Sequence, residues 1–267
     1  MYRPYWSLEA RPFENHLDPR FFYSNAANQA TLLKLRYAVE SRCSAALLAG
    51  AAGSGKTLLT QTLGGQLDEQ YHPLVHLKFP QMPPEQLLAY LADELTGQRD
   101  EDHSIQASLR RIERMLQENV EEGRHAVVVI DEAHLLREAG SLEMVRLLLN
   151  YSPQWTVILV GQPPILTALE RMPELDERLG VKCLMQRFHP EDSVRYIQHR
   201  LSAAGARQEI FHEDALERVH YLAEGSPRRI NRLCDLSLLI GYAEEFPRID
   251  SAHVEAIAQD LVATSAA

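Results

Sequence analysis

Gly50-Ala51-Ala52-Gly53-Ser54-Gly55-Lys56-Thr57 has the G-x-x-x-x-G-K-[ST] spacing of a phosphate-binding loop. Ahead of it, Ala45-Ala46-Leu47-Leu48-Ala49 predicts a short buried strand, and Leu58-Leu59-Thr60-Gln61-Thr62-Leu63 predicts the helix that leaves the loop. The glycines let backbone N–H groups converge on phosphate oxygens, and the helix N-terminus adds its partial positive charge. Gly50, Ala51, Ala52, Gly53, Ser54, Gly55, Lys56, Thr57 and Leu58 are therefore the nucleotide-contact candidates. Lys56 is placed to reach the β- and γ-phosphates, and the Thr57 hydroxyl to ligate Mg²⁺. A glycine-rich turn that binds nothing is the bland alternative.

Working outward, Asn25 through Arg42 predicts a helix with Leu32, Leu35 and Val39 on one face. Leu74-Val75-His76-Leu77-Lys78-Phe79 alternates like a strand and stops at Pro80. Pro84 suits the first turn of a helix burying Leu87, Leu88, Leu91 and Leu95, and Ile105, Leu109, Ile112 and Leu116 mark another. Ala126–Ile130 and Trp155–Val160 are continuous apolar runs, the pattern of central parallel strands buried on both faces. Val181–Met185 reads as a further strand. The alternation predicts an α/β domain over residues 26–188, a parallel sheet flanked by helices. After Phe188-His189-Pro190 only amphipathic helices follow, at about 190–203, 213–223, 227–243 and 250–263, so residues 189–267 are expected to form a small all-helical domain. Residues 1–25, rich in aromatics and proline, are expected to pack on the domain core or to cover the base of the nucleotide.

Active sites of parallel α/β sheets gather at the carboxyl ends of the strands. Asp131-Glu132 stands there after one apolar run, and Gly161-Gln162-Pro163 after the other. Asp131 can hold Mg²⁺ through its water shell and Glu132 can polarise an attacking water; an acidic turn that only solubilises a strand end is the alternative. Gln162 can donate to the γ-phosphate or hold that water, or else serve as a helix-entry residue. Arg178 is a candidate arginine finger acting on a neighbouring subunit's site, with Arg171 a weaker rival; pairing with Glu174 or Asp176 is its alternative. Gly225-Ser226-Pro227-Arg228-Arg229 opens a helix, and a basic first turn opposes the helix dipole, which favours a phosphate-facing role for Arg228. His134 can sense phosphate or a partner, or can be an ordinary packed histidine.

Lys and Arg number 27 against 37 Asp and Glu, and the resulting charge of −10 disfavours nonspecific attraction of the whole molecule to nucleic acid or anionic lipid. It leaves room for a local basic patch, for which the C-terminal region offers Arg195, Arg200, Arg218, Arg228, Arg229 and Arg232. Three widely spaced cysteines, Cys43, Cys183 and Cys234, match neither a disulfide framework nor metal spacing. No apolar run approaches a membrane span, and the first residues carry no signal-peptide core. A reducing cytoplasmic setting is expected.

The ordered set Gly50–Thr57, Asp131-Glu132-Ala133-His134, Gly161-Gln162-Pro163, Arg178 and Gly225-Ser226-Pro227-Arg228 resembles an AAA+ ATPase. Within that class it is similar to the secretion ATPases of the ExeA/GspA type and their stand-alone relatives, which include transposon target-selection ATPases. The resemblance extends to Tyr5-Trp6-Ser7-Leu8, Arg11-Pro12-Phe13, Asp18–Tyr23, Tyr196–Leu201 and Ile230–Asp235. It implies Walker A at Gly50–Thr57, Walker B at Asp131 and Glu132, sensor 1 at Gln162, a trans finger at Arg178 and sensor 2 at Arg228. It also implies the P-loop NTPase fold with a helical lid, and ATP and Mg²⁺ as cofactors. The expected partners are further copies of the chain in a nucleotide-dependent ring or filament, and a protein complex to be assembled or remodelled. Duplex DNA is the alternative partner, as in target selection. Secretion members continue into a membrane span and a peptidoglycan-binding region that these residues do not contain; an excised ATPase domain and a soluble relative are both open.

Overall fold

The computed structural model describes residues 1–14, 18–136, 140–151 and 154–265. The chain folds as two compact units: Ala26–Ala52 with Leu59–Met185, and Met1–Asn25 with Gly53–Leu58 and the residues from Gln186 on.

The first unit begins with helix α1 (Ala26–Glu40) and strand β1 (Ala45–Gly50), and the loop then enters helix α2 (Lys56–Gly64). Strand β2 (Leu74–Leu77) is followed by two helices, α3 (Pro84–Thr96) and α4 (Ile105–Glu121), before β3 (Ala126–Ile130). Helix α5 (Ser141–Leu148), β4 (Trp155–Gly161), α6 (Pro164–Glu170), α7 (Pro173–Asp176) and β5 (Leu179–Met185) complete it. The strands form one sheet in the order β2-β3-β4-β1-β5, parallel at every pairing. Every residue of β1, β3 and β4 is buried, because helices joining parallel strands cover both faces and leave no solvated side. That is why these segments carry unbroken apolar runs. Edge strand β5 alternates instead, with Lys182 turned outward to Asp176 at 2.6 Å.

The expected strand over 74–79 is shorter than its alternation suggests. β2 stops at Leu77, opposite Ile130, the last residue of β3. The Asp131 N–H closes the ladder on the Leu77 carbonyl at 2.8 Å, and among the described residues Lys78 and Phe79 pair with no strand. Helices α3 and α4 bury Leu87, Leu88, Leu91, Leu95, Ile112 and Leu116 in the same core as Trp155, each full burial contributing roughly 1.5–3 kcal/mol.

The second unit holds α8 (Pro190–Ala203), α9 (Glu213–Ala223), α10 (Pro227–Ala243) and α11 (Ser251–Ser265). Residues 1–25 belong to it. Tyr2, Trp6, Leu8, Phe13 and Phe21 share one core with Tyr196, Ile197, Leu216, Val219, Ile230 and Leu238. The Trp6 indole N–H donates to the Leu238 carbonyl at 2.9 Å, and the Tyr5 hydroxyl to the Phe246 carbonyl at 2.7 Å. Arg200 is buried, donating to the carbonyls of Pro12 and Glu14 and lying 4.9 Å above the Phe21 ring. An arginine committed to backbone carbonyls inside a core is not available to DNA, which removes Arg200 from the basic candidates.

Candidate nucleotide site

β1 delivers the chain to the loop at Gly50, at the carboxyl end of the sheet's interior. Gly53 and Gly55 have φ of +74° and +95°, a left-handed backbone that glycine reaches at no steric cost. Lys56, Thr57 and Leu58 form the first turn of α2, the positive end of the helix dipole. Ser54 Oγ is buried and makes no hydrogen bond among the described residues.

Residues 53–58 lie in one unit with Arg228, and the two meet. The Arg228 N–H donates to the Gly53 carbonyl at 3.3 Å. A Cβ placed on Gly53 would stand 2.4 Å from Arg228 Cβ. Gly53→Ala therefore faces both a steric overlap and an unfavourable φ, and is expected to destabilise the chain by more than about 1 kcal/mol. Urea denaturation checks this; an unchanged midpoint would show that the loop and Arg228 yield freely. Arg229 points elsewhere, to Glu224 at 2.8 Å. A hydrogen bond from Arg187 and the nearby Arg229 charge hold the Glu224 carboxyl below its usual range.

In the sheet-bearing unit, β3 and β4 are neighbours with Ile130 opposite Leu159. Asp131 and Glu132 follow one strand and Gln162 the other, so the sheet brings these three to one edge. Asp131 is buried, and its Oδ1 accepts the Glu132 N–H at 2.8 Å. Glu132 has φ +51°, a strained backbone for a residue with a side chain. Its Oε2 atom is buried and accepts no hydrogen bond among the described residues, although His134 Nδ1 stands 3.3 Å away. His76 on β2 places Nε2 3.6 Å from Asp131 Oδ2. The alternating pattern of β2 carried no hint of that contact; only the register, with His76 beside Val129, puts both on one face.

Arg178 is not with this group. It immediately precedes Leu179, which pairs with Ala45 at the amino end of β1, so it stands at the opposite end of the sheet. It pairs with neither Glu174 nor Asp176: its Nη2 donates to Asn150 Oδ1 at 2.8 Å, while Arg146 takes Glu174 and Lys182 takes Asp176.

These residues fit a nucleotide with Mg²⁺. A glycine loop with left-handed turns and a buried lysine suits phosphates. A buried carboxylate at a strand end, Asp131, suits an ion held mainly by water and phosphate oxygens. Among the described residues no helix is long and apolar enough to cross a membrane.

Sheet, loop and helical unit together define a P-loop nucleotide-binding fold of the AAA+ class. A family model described as "AAA domain" matches residues 35–169, and the chain belongs to that family. It is 31% identical over 250 residues to general secretion pathway protein A of Aeromonas hydrophila, covering 91% of this chain and 45% of that protein. The chain thus spans about half the length of the curated relative it matches. Among solved structures it is similar to the Aeropyrum pernix ORC2 protein, with a TM-score of 0.74 at 14% identity over 94% of this chain and 71% of that one. The Aeropyrum pernix ORC1 protein in complex with DNA matches with a TM-score of 0.69 at 16% identity, over 94% and 68%. A variant of Thermotoga maritima RuvB matches with a TM-score of 0.62 at 18% identity, over 92% and 74%. At such identities the likeness is one of fold.

Proposed function

We propose that this chain binds and hydrolyses ATP at a site completed between subunits, and uses the cycle to assemble or remodel a partner complex of the secretion or membrane-assembly kind. The observation that carries the reading is the division of the sheet: the phosphate-loop end of β1, Asp131, Glu132 and Gln162 at one end, Arg178 at the other. Lys56 holds phosphate oxygens, and Thr57 and Asp131 hold Mg²⁺, Asp131 through the water shell. Glu132 orients the attacking water and Gln162 donates to the γ-phosphate. Arg228, lying against Gly53, reports nucleotide state to the helical unit. When bound, Mg²⁺ offsets negative charge on the phosphoryl oxygens. The similarity to general secretion pathway protein A supports the partner class, and three free cysteines suit a cytoplasmic setting.

Arg178 is then a finger for the neighbouring subunit in a ring or filament. Arg178→Ala is expected to bind nucleotide normally and to lose turnover by about 10³-fold, the scale of a missing arginine finger. Mixing it with Lys56→Ala subunits is expected to restore part of the activity, because one interface then joins an intact loop to an intact finger. No restoration at any mixing ratio would discard the trans role.

A second reading is a scaffold that assembles on duplex DNA when ATP-bound, an alternative raised by the ORC1 structure solved with DNA. The helical unit gives it modest support. Arg195, Arg218 and Arg229 are paired with Glu191, Glu255 and Glu224, leaving Arg228 and Arg232 exposed and in no ion pair among the described residues. ATP turnover across a protein-concentration series, with and without duplex DNA, separates the readings. Specific activity that climbs with concentration supports shared sites and flat activity removes them. Strong stimulation by DNA moves the conclusion to the scaffold.

A further inference from the structure

Gly161, the last residue of β4, faces the turn after β3. A Cβ there would stand 3.1 Å from the His134 backbone nitrogen. That close approach sets the His134 ring between two groups the reaction needs. Its Nδ1 accepts the Gln162 backbone N–H at 3.4 Å and lies 3.3 Å from Glu132 Oε2. The His134 side chain is only 7% exposed, so both contacts are held by the fold.

One nitrogen cannot serve both groups at once. A bare Nδ1 accepts from Gln162 and has no proton to offer the carboxylate, whereas a protonated Nδ1 donates to Glu132 and can no longer accept. The first arrangement accounts for Glu132 Oε2 having no hydrogen bond. We propose that His134 is a positioning residue that exchanges between these two bonds, so that the Glu132 carboxylate and the Gln162 backbone are set together. With Nδ1 on Gln162, the carboxylate is free to meet water. With Nδ1–H on Glu132, the carboxylate is withdrawn and the Gln162 amide is released. Gln162 also accepts the Ile165 N–H of α6 at 3.0 Å, so its movement passes into that helix. This inference rests on the reading of Glu132 and Gln162 as residues of an ATP-hydrolysing site.

The decisive test needs no nucleotide. In ¹⁵N-histidine-labelled, nucleotide-free protein the His134 Nδ1 resonance averages the two exchanging bonds, so Glu132→Ala, which removes the acceptor and with it the protonated-nitrogen arrangement, is expected to move that average to the bare-nitrogen position. The resonance of His125, buried in the same unit with Nε2 2.9 Å from Thr156 Oγ1, reports that the fold is intact. An unmoved His134 resonance overturns the proposal. A second measurement compares two replacements in ATP turnover. Glutamine can both accept from Gln162 and donate to Glu132; leucine can do neither. His134→Leu is expected to lower kcat about tenfold at unchanged KM, while His134→Gln stays within about threefold of the parent. Equal losses in the two variants, or a loss confined to KM, overturn it. A chain that hydrolysed no ATP would fail the turnover comparison yet leave the resonance test standing, so the two failures are distinguishable.

Discussion

Glu132→Gln is expected to bind ATP as the parent does and to hydrolyse it at least about a hundredfold more slowly, the lower range for losing a positioned general base. Glutamine keeps the shape and a polar oxygen but cannot take a proton from water. The strand-end geometry supports the separation of binding from turnover: Asp131, which is to hold the metal, is buried and keeps its bond to the residue-132 N–H, a backbone group the substitution leaves in place. Glu132 Oε2 has no hydrogen bond to lose among the described residues, so the change should cost little in stability. Binding is read by a fluorescent nucleotide and turnover by phosphate release. Parent-like turnover would remove Glu132 from the mechanism, and loss of both would mean that the substitution disturbs the loop rather than the water.

The second large effect is on folding. Trp6→Ala is expected to destabilise the helical unit by about 3–5 kcal/mol, the range for truncating a buried tryptophan. Trp6 is 1% exposed. Its indole N–H is bonded to Leu238, its ring meets Tyr5 edge-on at 4.8 Å, and a Cβ on Gly241 would stand 2.9 Å from its Cζ2. The truncation leaves a cavity beside α10. A domain stabilised by about 5–15 kcal/mol in total would be left near its limit. The only other tryptophan is Trp155, on β4, so its fluorescence follows the sheet-bearing unit while circular dichroism follows all helices. An early helical transition with late Trp155 fluorescence is the expected result; a shift below about 1 kcal/mol would contradict the packing account.

Much of the fold was legible because each decisive signal is local. The loop is contiguous, since phosphate oxygens are met by consecutive backbone N–H groups. The runs 126–130 and 155–160 are long enough to demand burial on both faces. Proline at 190 and 227 opens helices whose apolar spacing continues for three turns or more. Asp131, Glu132 and Gln162 could be placed at strand ends because a parallel sheet puts every such end on one edge.

Contacts between segments far apart along the chain were not legible. Arg200 looks like any surface cation on a helix, and only the fold of residues 1–25 surrounds it with the carbonyls of Pro12 and Glu14. Arg178 has acidic neighbours at 174 and 176, yet the fold hands those to Arg146 and Lys182 and gives Arg178 to Asn150. The sequence turned Arg228 toward the phosphates, but its bond to the Gly53 carbonyl, 175 positions away, was not readable, and the His134 ring reaches Gln162 only because β3 and β4 pair in one register. Periodicity and spacing record what a residue's own segment requires of it. Which distant group fills a donor's or acceptor's remaining valence depends on how segments pack, and that is decided in three dimensions.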